Sequence, residues 1–254
     1  MTREKGRATV CAHAGEDAPG LPAGVRPHAP AIYQTSGFEY PSHVEAEAAA
    51  RGEIYLYSRD ANPTEDRLAH ALAELEGAES GCVFSSGMAA ISAALLAFVE
   101  RGDHVVAPEG LYGVSHAFLV EQLARYGVGH TLVGADARPE AIDAAIDAHT
   151  RAVFVESITN PLLRVCDLDG IAAVCKRRGV ALIVDATFAT PLGQRPLERG
   201  ATLSVHSGTK YISGHGDLLL GVVAGSAEAM KAVRRVRKLQ GGNADPFAAW
   251  LALR

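Results

Sequence analysis

From residue 64 onwards, short apolar runs alternate with helical patterns, and this alternation constrains the fold more than any other feature of the sequence. Leu68, Leu72 and Leu75 recur at helical spacing. Thr64 is the predicted N-cap of this helix and Gly77 its stop. Apolar runs typical of strands follow at 81–84, 104–107, 131–133, 152–156, 180–184, 203–205 and 219–223. Strands alternating with helices form mostly parallel sheets covered by helices, so an α/β fold is predicted.

The first 60 or so residues lack this alternation. Prolines at positions 19, 22, 27, 30 and 41 favour an extended arm. An arm without a core of its own usually lies across another subunit. We therefore predict an arm over residues 1–63 that contacts a neighbouring subunit, and a large domain over residues 64–254.

The bulk composition excludes several classes of protein. With 48% hydrophobic residues and a net charge of −5, the chain can bury a large core and lacks the basic character of a nucleic-acid binder. Residues 1–10 have no apolar core, so they are not a secretory signal. The longest apolar run, 88–99, is too short to span a membrane. Four cysteines without a C-x-x-C pair favour reduced thiols in a cytoplasmic protein and no metal site.

The C-terminal segment supports two interpretations. Asp245 and Pro246 start a helix, whose apolar residues include Phe247 and Trp250, and the chain stops at Arg254 without a helix-ending signal. The helix could dock on the core of this domain. We favour the interpretation that a second domain should follow and is absent from residues 1–254.

Lys210 lies in an unusual setting, between Ser207 and Thr209 on one side and Gly214 and Gly216 on the other. The spacing does not match the phosphate-binding loop G-x-x-x-x-G-K-[ST] or the dinucleotide fingerprint G-x-G-x-x-G. A reactive lysine that forms a Schiff base remains, because a desolvated lysine amine can lose its proton.

Other polar residues follow predicted strands, where α/β proteins bind ligands. Each has an ordinary alternative: Gly87 in a tight turn, Asp185 as a cap, Tyr112 as a packing residue. Together they match one ligand, pyridoxal 5′-phosphate (PLP), which has an aldehyde, a phosphate, a basic ring nitrogen and an aromatic face. The aldehyde would bind Lys210, the ring nitrogen Asp185 and the ring face Tyr112. The phosphate-binding candidates are Gly87 and Met88, at a helix start, with Ser207 and Thr209.

The sequence resembles the PLP-dependent enzymes of cysteine and methionine metabolism along essentially its whole length. These fold-type-I proteins include cystathionine γ-synthase, cystathionine γ- and β-lyases, methionine γ-lyase and O-acylhomoserine sulfhydrylases. The matching motifs are YSR-x-x-NPT at 57–64, SSGM at 85–88, LYG at 111–113, ES-x-x-NP at 156–161 and SGTKY at 207–211.

This resemblance implies a role for each candidate. Lys210 would hold the cofactor and shuttle protons, Asp185 would keep the ring nitrogen protonated, and Asn160 would contact the ring's 3-oxygen. Tyr112 would stack on the ring and act as an acid or base. Tyr57 and Arg59 would reach the phosphate of a neighbouring subunit, which implies a homodimer with shared sites, assembled into a homotetramer.

The resemblance also limits the choice of reaction. Members carry a C-terminal domain with an arginine that binds the substrate carboxylate, and 1–254 stops before it. Val114 stands where methionine γ-lyases have a cysteine, whereas 214–217 resembles the lyases more than many synthases. We predict γ-elimination on a small sulfur amino acid, cystathionine or methionine. The alternatives are γ-replacement with an O-acylhomoserine and a non-catalytic PLP-binding fragment.

Overall fold

A seven-stranded sheet forms the centre of the computed structural model, which describes residues 6–13 and 29–254. The strands are β1 (Ser80–Phe84), β2 (His104–Pro108), β3 (Gly129–Val133), β4 (Thr150–Glu156), β5 (Ala181–Asp185), β6 (Leu203–Ser207) and β7 (Gly221–Gly225). Their order is β1-β7-β6-β5-β4-β2-β3. Strand β7 is antiparallel to both neighbours, and the other six strands share one direction. The predicted mostly parallel sheet is confirmed.

Helices cover both faces of this sheet. The helices of the described residues, those of the arm included, are α1 (Arg7–His13), α2 (His43–Ala50), α3 (Pro63–Glu76), α4 (Gly87–Leu96), α5 (Gly113–Ala117), α6 (Pro139–Ala145), α7 (Leu168–Arg178), α8 (Thr190–Gly193), α9 (Ala227–Gln240) and α10 (Pro246–Ala252). Helix α5 continues as a π-helical segment, Phe118–Leu123, and a 3₁₀ turn spans Pro196–Arg199.

Alternate residues of the central strands face opposite helical layers. In β4, Phe154 belongs to the core that includes α4, whereas Val153 and Val155 belong to the core that includes α7. In β5, Ile183 and Leu182 divide in the same way. Because both faces are buried, these strands are continuous apolar runs in the sequence. Among the described residues, no helix has the length and hydrophobicity needed to cross a membrane.

The predicted N-cap of α3 is wrong by two residues. Asn62 is the cap, accepting the N–H of Thr64 at 2.9 Å, and Pro63 is the first helical residue. The Thr64 hydroxyl instead accepts the N–H of Tyr33 at 2.9 Å. Pro63 at the first helical position places the cap at Asn62 and leaves the Thr64 hydroxyl to the arm.

The predicted arm is only partly irregular. Its helices α1 and α2 were not expected, and Ser42 caps the second. Residues 1–5 and 14–28 of the arm, which include the prolines at 19, 22 and 27, lie outside the described residues. The arm's later segment lies on this chain's own domain: Trp250 in α10 donates to the carbonyl of Pro30 at 2.8 Å. Helix α10 itself packs on α3 through the buried Ala249. A domain after residue 254 stays a prediction.

Candidate active site

The carboxyl ends of six strands meet at one sheet edge, which carries a cavity of about 690 Å³. Eight of the ten predicted site residues line it: Gly87, Met88, Tyr112, Asn160, Asp185, Ser207, Thr209 and Lys210. The other two, Tyr57 and Arg59, do not line it. The Arg59 guanidinium lies over the Tyr57 ring, 5.3 Å from its centroid, in the arm. This chain therefore brings together every predicted residue except the pair assigned to a neighbouring subunit.

One end of the cavity is built from the first turn of α4 and the end of β6. Ser86 caps the helix by accepting the N–H of Ala89 at 3.2 Å. The N–H groups of Gly87 and Met88 precede this point, and first-turn amides have no partner within a helix. A Cβ on Gly87 would lie 2.7 Å from the Cβ of Ser207, so only glycine permits this approach. The arrangement offers amides, a helix dipole and a hydroxyl to an anion.

The two predicted phosphate-binding hydroxyls have different surroundings. The hydroxyl of Thr209 donates to the carbonyl of Leu220 at 3.2 Å and accepts its N–H at 2.9 Å. It thus holds the turn after β6 against the segment that leads into β7. The Ser207 hydroxyl lies beside Gly87, at the end of the cavity formed by the first turn of α4, which we call the anion end. Of the two, Ser207 is the better placed to donate to a phosphate.

Asp185 ends β5 and is 8% exposed. Its Oδ1 accepts the hydroxyl of Thr187 at 2.5 Å and the N–H of Thr187 at 2.9 Å. Burial raises the pKa of Asp185, and these bonds and the nearby His206 partly oppose the rise. A buried carboxylate of this kind is stabilised by a cationic partner, such as a protonated ring nitrogen.

Lys210 lies in the turn that follows β6, with an exposed side chain that lines the cavity. The turn is closed by bonds from the N–H of Lys210 to the carbonyl of Ser207, at 3.1 Å, and from the N–H of Gly214 to the carbonyl of Lys210, at 2.9 Å. Tyr211 then packs on Phe188 with ring centroids 5.8 Å apart. The turn therefore presents the amine to the cavity from a fixed backbone.

Thr187 and Glu156 also line the cavity and connect its parts, and the sequence reasoning did not single them out as site residues. Thr187 joins two strand ends, because its hydroxyl also accepts the N–H of Ser207 at 2.8 Å. Glu156 is 6% exposed and accepts the N–H of Tyr112 at 2.5 Å and of Asn160 at 3.2 Å. A carboxylate ending an apolar strand was a signal for Glu156. The sequence did not show that Glu156 on β4 lies directly beside Asp185 on β5, its register partner.

A family model described as "Cys/Met metabolism PLP-dependent enzyme" matches residues 8–254. The chain belongs to this family. L-Methionine γ-lyase of Porphyromonas gingivalis is 42% identical over 229 residues, and cystathionine γ-lyase of Bacillus subtilis is 42% identical over 224 residues. Each alignment covers 88% of this chain and 57% of the relative. The chain thus spans little more than half the length of these curated relatives.

Relatives named as synthases also match. Probable cystathionine γ-synthase 2 of Arabidopsis thaliana is 40% identical over 205 residues, covering 80% of this chain and 50% of the relative. A crystal structure described as metB from Corynebacterium glutamicum superposes with a TM-score of 0.89 at 32% identity, over 98% of this chain and 63% of that one. The overall structure therefore agrees with the fold-type-I prediction.

The family's cofactor is PLP, and the donor set of the cavity fits it. The glycine at position 87 lets Ser207 approach the start of α4, so that its hydroxyl and the first-turn amides can serve one phosphate. Asp185 offers a buried carboxylate to a ring nitrogen, and Lys210 offers a primary amine to an aldehyde. One cavity thus contains groups suited to the phosphate, the ring nitrogen and the aldehyde of PLP.

Proposed function

We propose that the protein catalyses PLP-dependent γ-elimination from a sulfur amino acid, cystathionine or methionine, releasing a thiol, a 2-oxo acid and ammonia. The observation that carries this proposal is that Lys210 and Asp185 line one cavity with the N-terminus of α4. The names of the 42% identical relatives support the same reaction class.

The residues that would hold PLP follow from their chemistry. The amides of Gly87 and Met88 and the hydroxyl of Ser207 would bind the phosphate, with Thr209 supporting the turn. The carboxylate of Asp185 would hold a proton on the ring nitrogen. When bound, PLP supplies an electron-withdrawing ring that stabilises negative charge on the substrate carbons.

Two side chains would move protons. The amine of Lys210, which would also bond to the aldehyde in the resting protein, would take the proton from Cα of the substrate and pass protons among the adjacent carbons. The hydroxyl of Tyr112 would stand over the ring and give a proton to the leaving sulfur. The side chain of Asn160 would bind the ring's 3-oxygen and fix the ring plane.

The arm would complete the phosphate site of a second copy. Tyr57 and Arg59 do not line this chain's cavity, although both belong to a motif shared with the family. We assign them to the neighbouring subunit's phosphate, within a homodimer that assembles into a tetramer. Residues 1–63 would then be the arm and 64–254 the PLP-binding domain.

A second candidate is γ-replacement, favoured by the probable cystathionine γ-synthase relative at 40% identity. The two reactions diverge once the γ-substituent has left: elimination releases a 2-oxo acid, whereas replacement adds a thiol. With an O-acylhomoserine as substrate, added cysteine would suppress 2-oxobutyrate release in a replacement enzyme and leave it unchanged in an eliminase.

The decisive test is reconstitution of the purified protein with PLP. We expect a visible absorbance band of lysine-bound cofactor that is lost in Lys210→Ala. Lys231→Ala is the matched control, because that lysine is 73% exposed in α9 and pairs with Glu228. Release of 2-oxobutyrate from methionine or cystathionine would identify elimination. A protein that bound no PLP would contradict the proposal, and one that bound PLP without turnover would support a binding fragment.

A further inference from the structure

We infer that Glu156 is a positioning residue that sets the loops carrying Tyr112 and Asn160 against the two sides of the cavity. The inference rests on the proposed function, in which Tyr112 stacks on the ring of PLP and Asn160 binds its 3-oxygen. Glu156 itself would act through the backbone of these two residues, without being the group that moves protons.

The geometry of Glu156 carries this inference. It is the last residue of β4, and its side chain lines the cavity. One carboxylate oxygen accepts the N–H of Tyr112, which precedes α5, at 2.5 Å. The other oxygen accepts the N–H of Asn160, which follows β4, at 3.2 Å. A single side chain therefore joins two loops that come from different strands.

Apart from the bond to Glu156, the backbone of Tyr112 is held through its carbonyl, which accepts the N–H of His116 at 2.9 Å. Tyr112 stands at the N-terminus of α5 without a side-chain cap, and its own side chain is 45% exposed. The preceding Leu111 is buried, so the bond to Glu156 fixes the direction in which the chain leaves the core. Loss of that bond would let the Tyr112 ring shift relative to the cavity while the domain remained folded.

Burying the Glu156 carboxylate is unfavourable unless its hydrogen bonds serve a purpose. A carboxylate that is 6% exposed pays a desolvation penalty, which hydrogen bonds must offset. Glu156 also lies beside Asp185, its register partner on β5, so two carboxylates share one wall. An apolar residue at the end of β4 would avoid both costs. The carboxylate provides one acceptor oxygen for each of the two N–H groups, those of Tyr112 and Asn160.

The test compares Glu156→Gln with Glu228→Gln, a surface control whose side chain is 84% exposed. Glutamine keeps the shape but offers one acceptor oxygen, so one of the two loops loses its bond. We expect roughly tenfold weaker PLP binding, as for loss of a charge-assisted hydrogen bond. We also expect an altered visible circular dichroism band, which reports how the ring is held. Glu228→Gln should change neither measurement.

A double-mutant cycle separates positioning from general structural support. In a Tyr112→Ala, Asn160→Ala background there is no ring contact left to position, so Glu156→Gln should no longer weaken PLP binding. Chemical unfolding of each apo-protein shows whether the variants fold. If Glu156→Gln folds and binds PLP with an unchanged affinity and dichroism band, the inference is wrong. The same holds if its effect is equal in both backgrounds.

These outcomes are distinct from failure of the proposed function. A wild-type protein that binds no PLP would contradict the proposed function itself. A wild-type protein that binds PLP through Lys210, together with an unchanged Glu156→Gln, would contradict only the positioning role. If Glu156→Gln did not fold, Glu156→Met would be measured in the same cycle, because it removes both acceptor oxygens at similar volume.

Discussion

The hydroxyl of Thr187 donates a hydrogen bond of 2.5 Å to Oδ1 of Asp185. The same hydroxyl oxygen accepts the N–H of Ser207 at 2.8 Å. One side chain thus connects the end of β5, which carries the candidate ring partner, with the end of β6, which leads to Lys210. The connection fixes the two strand ends relative to each other.

Replacing Thr187 by valine should weaken PLP binding, because the shape is kept while both hydrogen bonds are lost. The hydroxyl bond stabilises the ionised form of Asp185, so its loss should raise the pKa of Asp185 further and move the pH dependence of PLP binding upwards. Unfolding stability should fall by about 1–3 kcal/mol. Spectroscopic PLP titrations across pH measure the first effect and urea unfolding the second.

Thr187→Ser retains the hydroxyl and should resemble the wild type. Equal behaviour of valine and serine variants would contradict this account.

Ser207 and Thr209 should respond differently to loss of their hydroxyls. The Ser207 hydroxyl lies at the anion end, so Ser207→Ala should weaken PLP affinity with little change in the stability of the apo-protein. Thr209 bonds twice to the backbone of Leu220. Thr209→Val should therefore cost about 1–3 kcal/mol of apo-protein stability. Equilibrium unfolding without PLP, followed by PLP titration, distinguishes the two variants. A larger stability loss for Ser207→Ala would reverse the assignment.

That most of the candidate site residues line one cavity could be predicted from the sequence, because their clustering depends on a simple rule. In a parallel sheet, residues that follow different strands meet at one edge, whatever the order of the strands. Asp185 at the end of β5 and Lys210 after β6 are close because these two strands are parallel neighbours in the sheet. Gly87 lies at the same edge because it begins α4, the helix that follows β1, and β1 runs in the same direction as β5 and β6.

The residues that sequence reasoning missed depend on details of neighbouring strands and loops. Glu156 is significant only because β4 lies beside β5 and because two separate loops turn their amides toward it. Strand β7, inserted antiparallel between β1 and β6, was likewise not predictable from apolar runs alone. These two cases depend on long-range contacts. The cap of α3 is different, because Asn62 followed by Pro63 is a local helix-start signal that the sequence reasoning passed over in favour of Thr64.

Glu156 should also make the stability of the apo-protein depend on pH. Burial raises its pKa from 4.5 to about 7, opposed by the N–H of Tyr112 and reinforced by Asp185. A carboxyl group whose pKa is raised on folding stabilises the folded state fully below its unfolded pKa, and this contribution is lost as pH rises through the folded value. Its contribution should therefore decline between about pH 4.5 and about pH 7.

Glu156→Gln cannot titrate, so its stability should fall less steeply than that of the wild type over this pH window. The other titratable side chains lining the cavity, Asp185, Lys210, Tyr112 and Tyr211, remain in both proteins. Buried His104, whose pKa is lowered by burial, contributes the opposite slope in both and cancels in the difference. Thermal unfolding midpoints of the apo-proteins at several pH values measure this. Parallel curves for the two proteins would contradict the assignment.

The last prediction concerns Arg237, which fastens the end of the arm to the domain. Its guanidinium, 4% exposed, donates to the carboxylate of Glu65 at 2.9 Å and to the carbonyl of Asp60 at 2.9 Å. Arg237→Met would leave the Glu65 carboxylate buried without its cation. Removing one partner of such a pair costs about 3–5 kcal/mol, whereas replacing both by apolar residues is often neutral.

Arg237→Met should therefore destabilise the apo-protein strongly, and Glu65→Met in the same chain should restore most of the loss. Arg235→Met, an exposed position in the same helix, is the control. Burial already raises the pKa of Glu65 to about 7, and Arg237 opposes this rise. Without the arginine, Glu65 should stay protonated to higher pH, so the deficit of Arg237→Met should be smaller near pH ~5 than near pH ~8. Urea unfolding at both pH values tests this, and a deficit that is independent of pH would mean that the buried charge is not its cause.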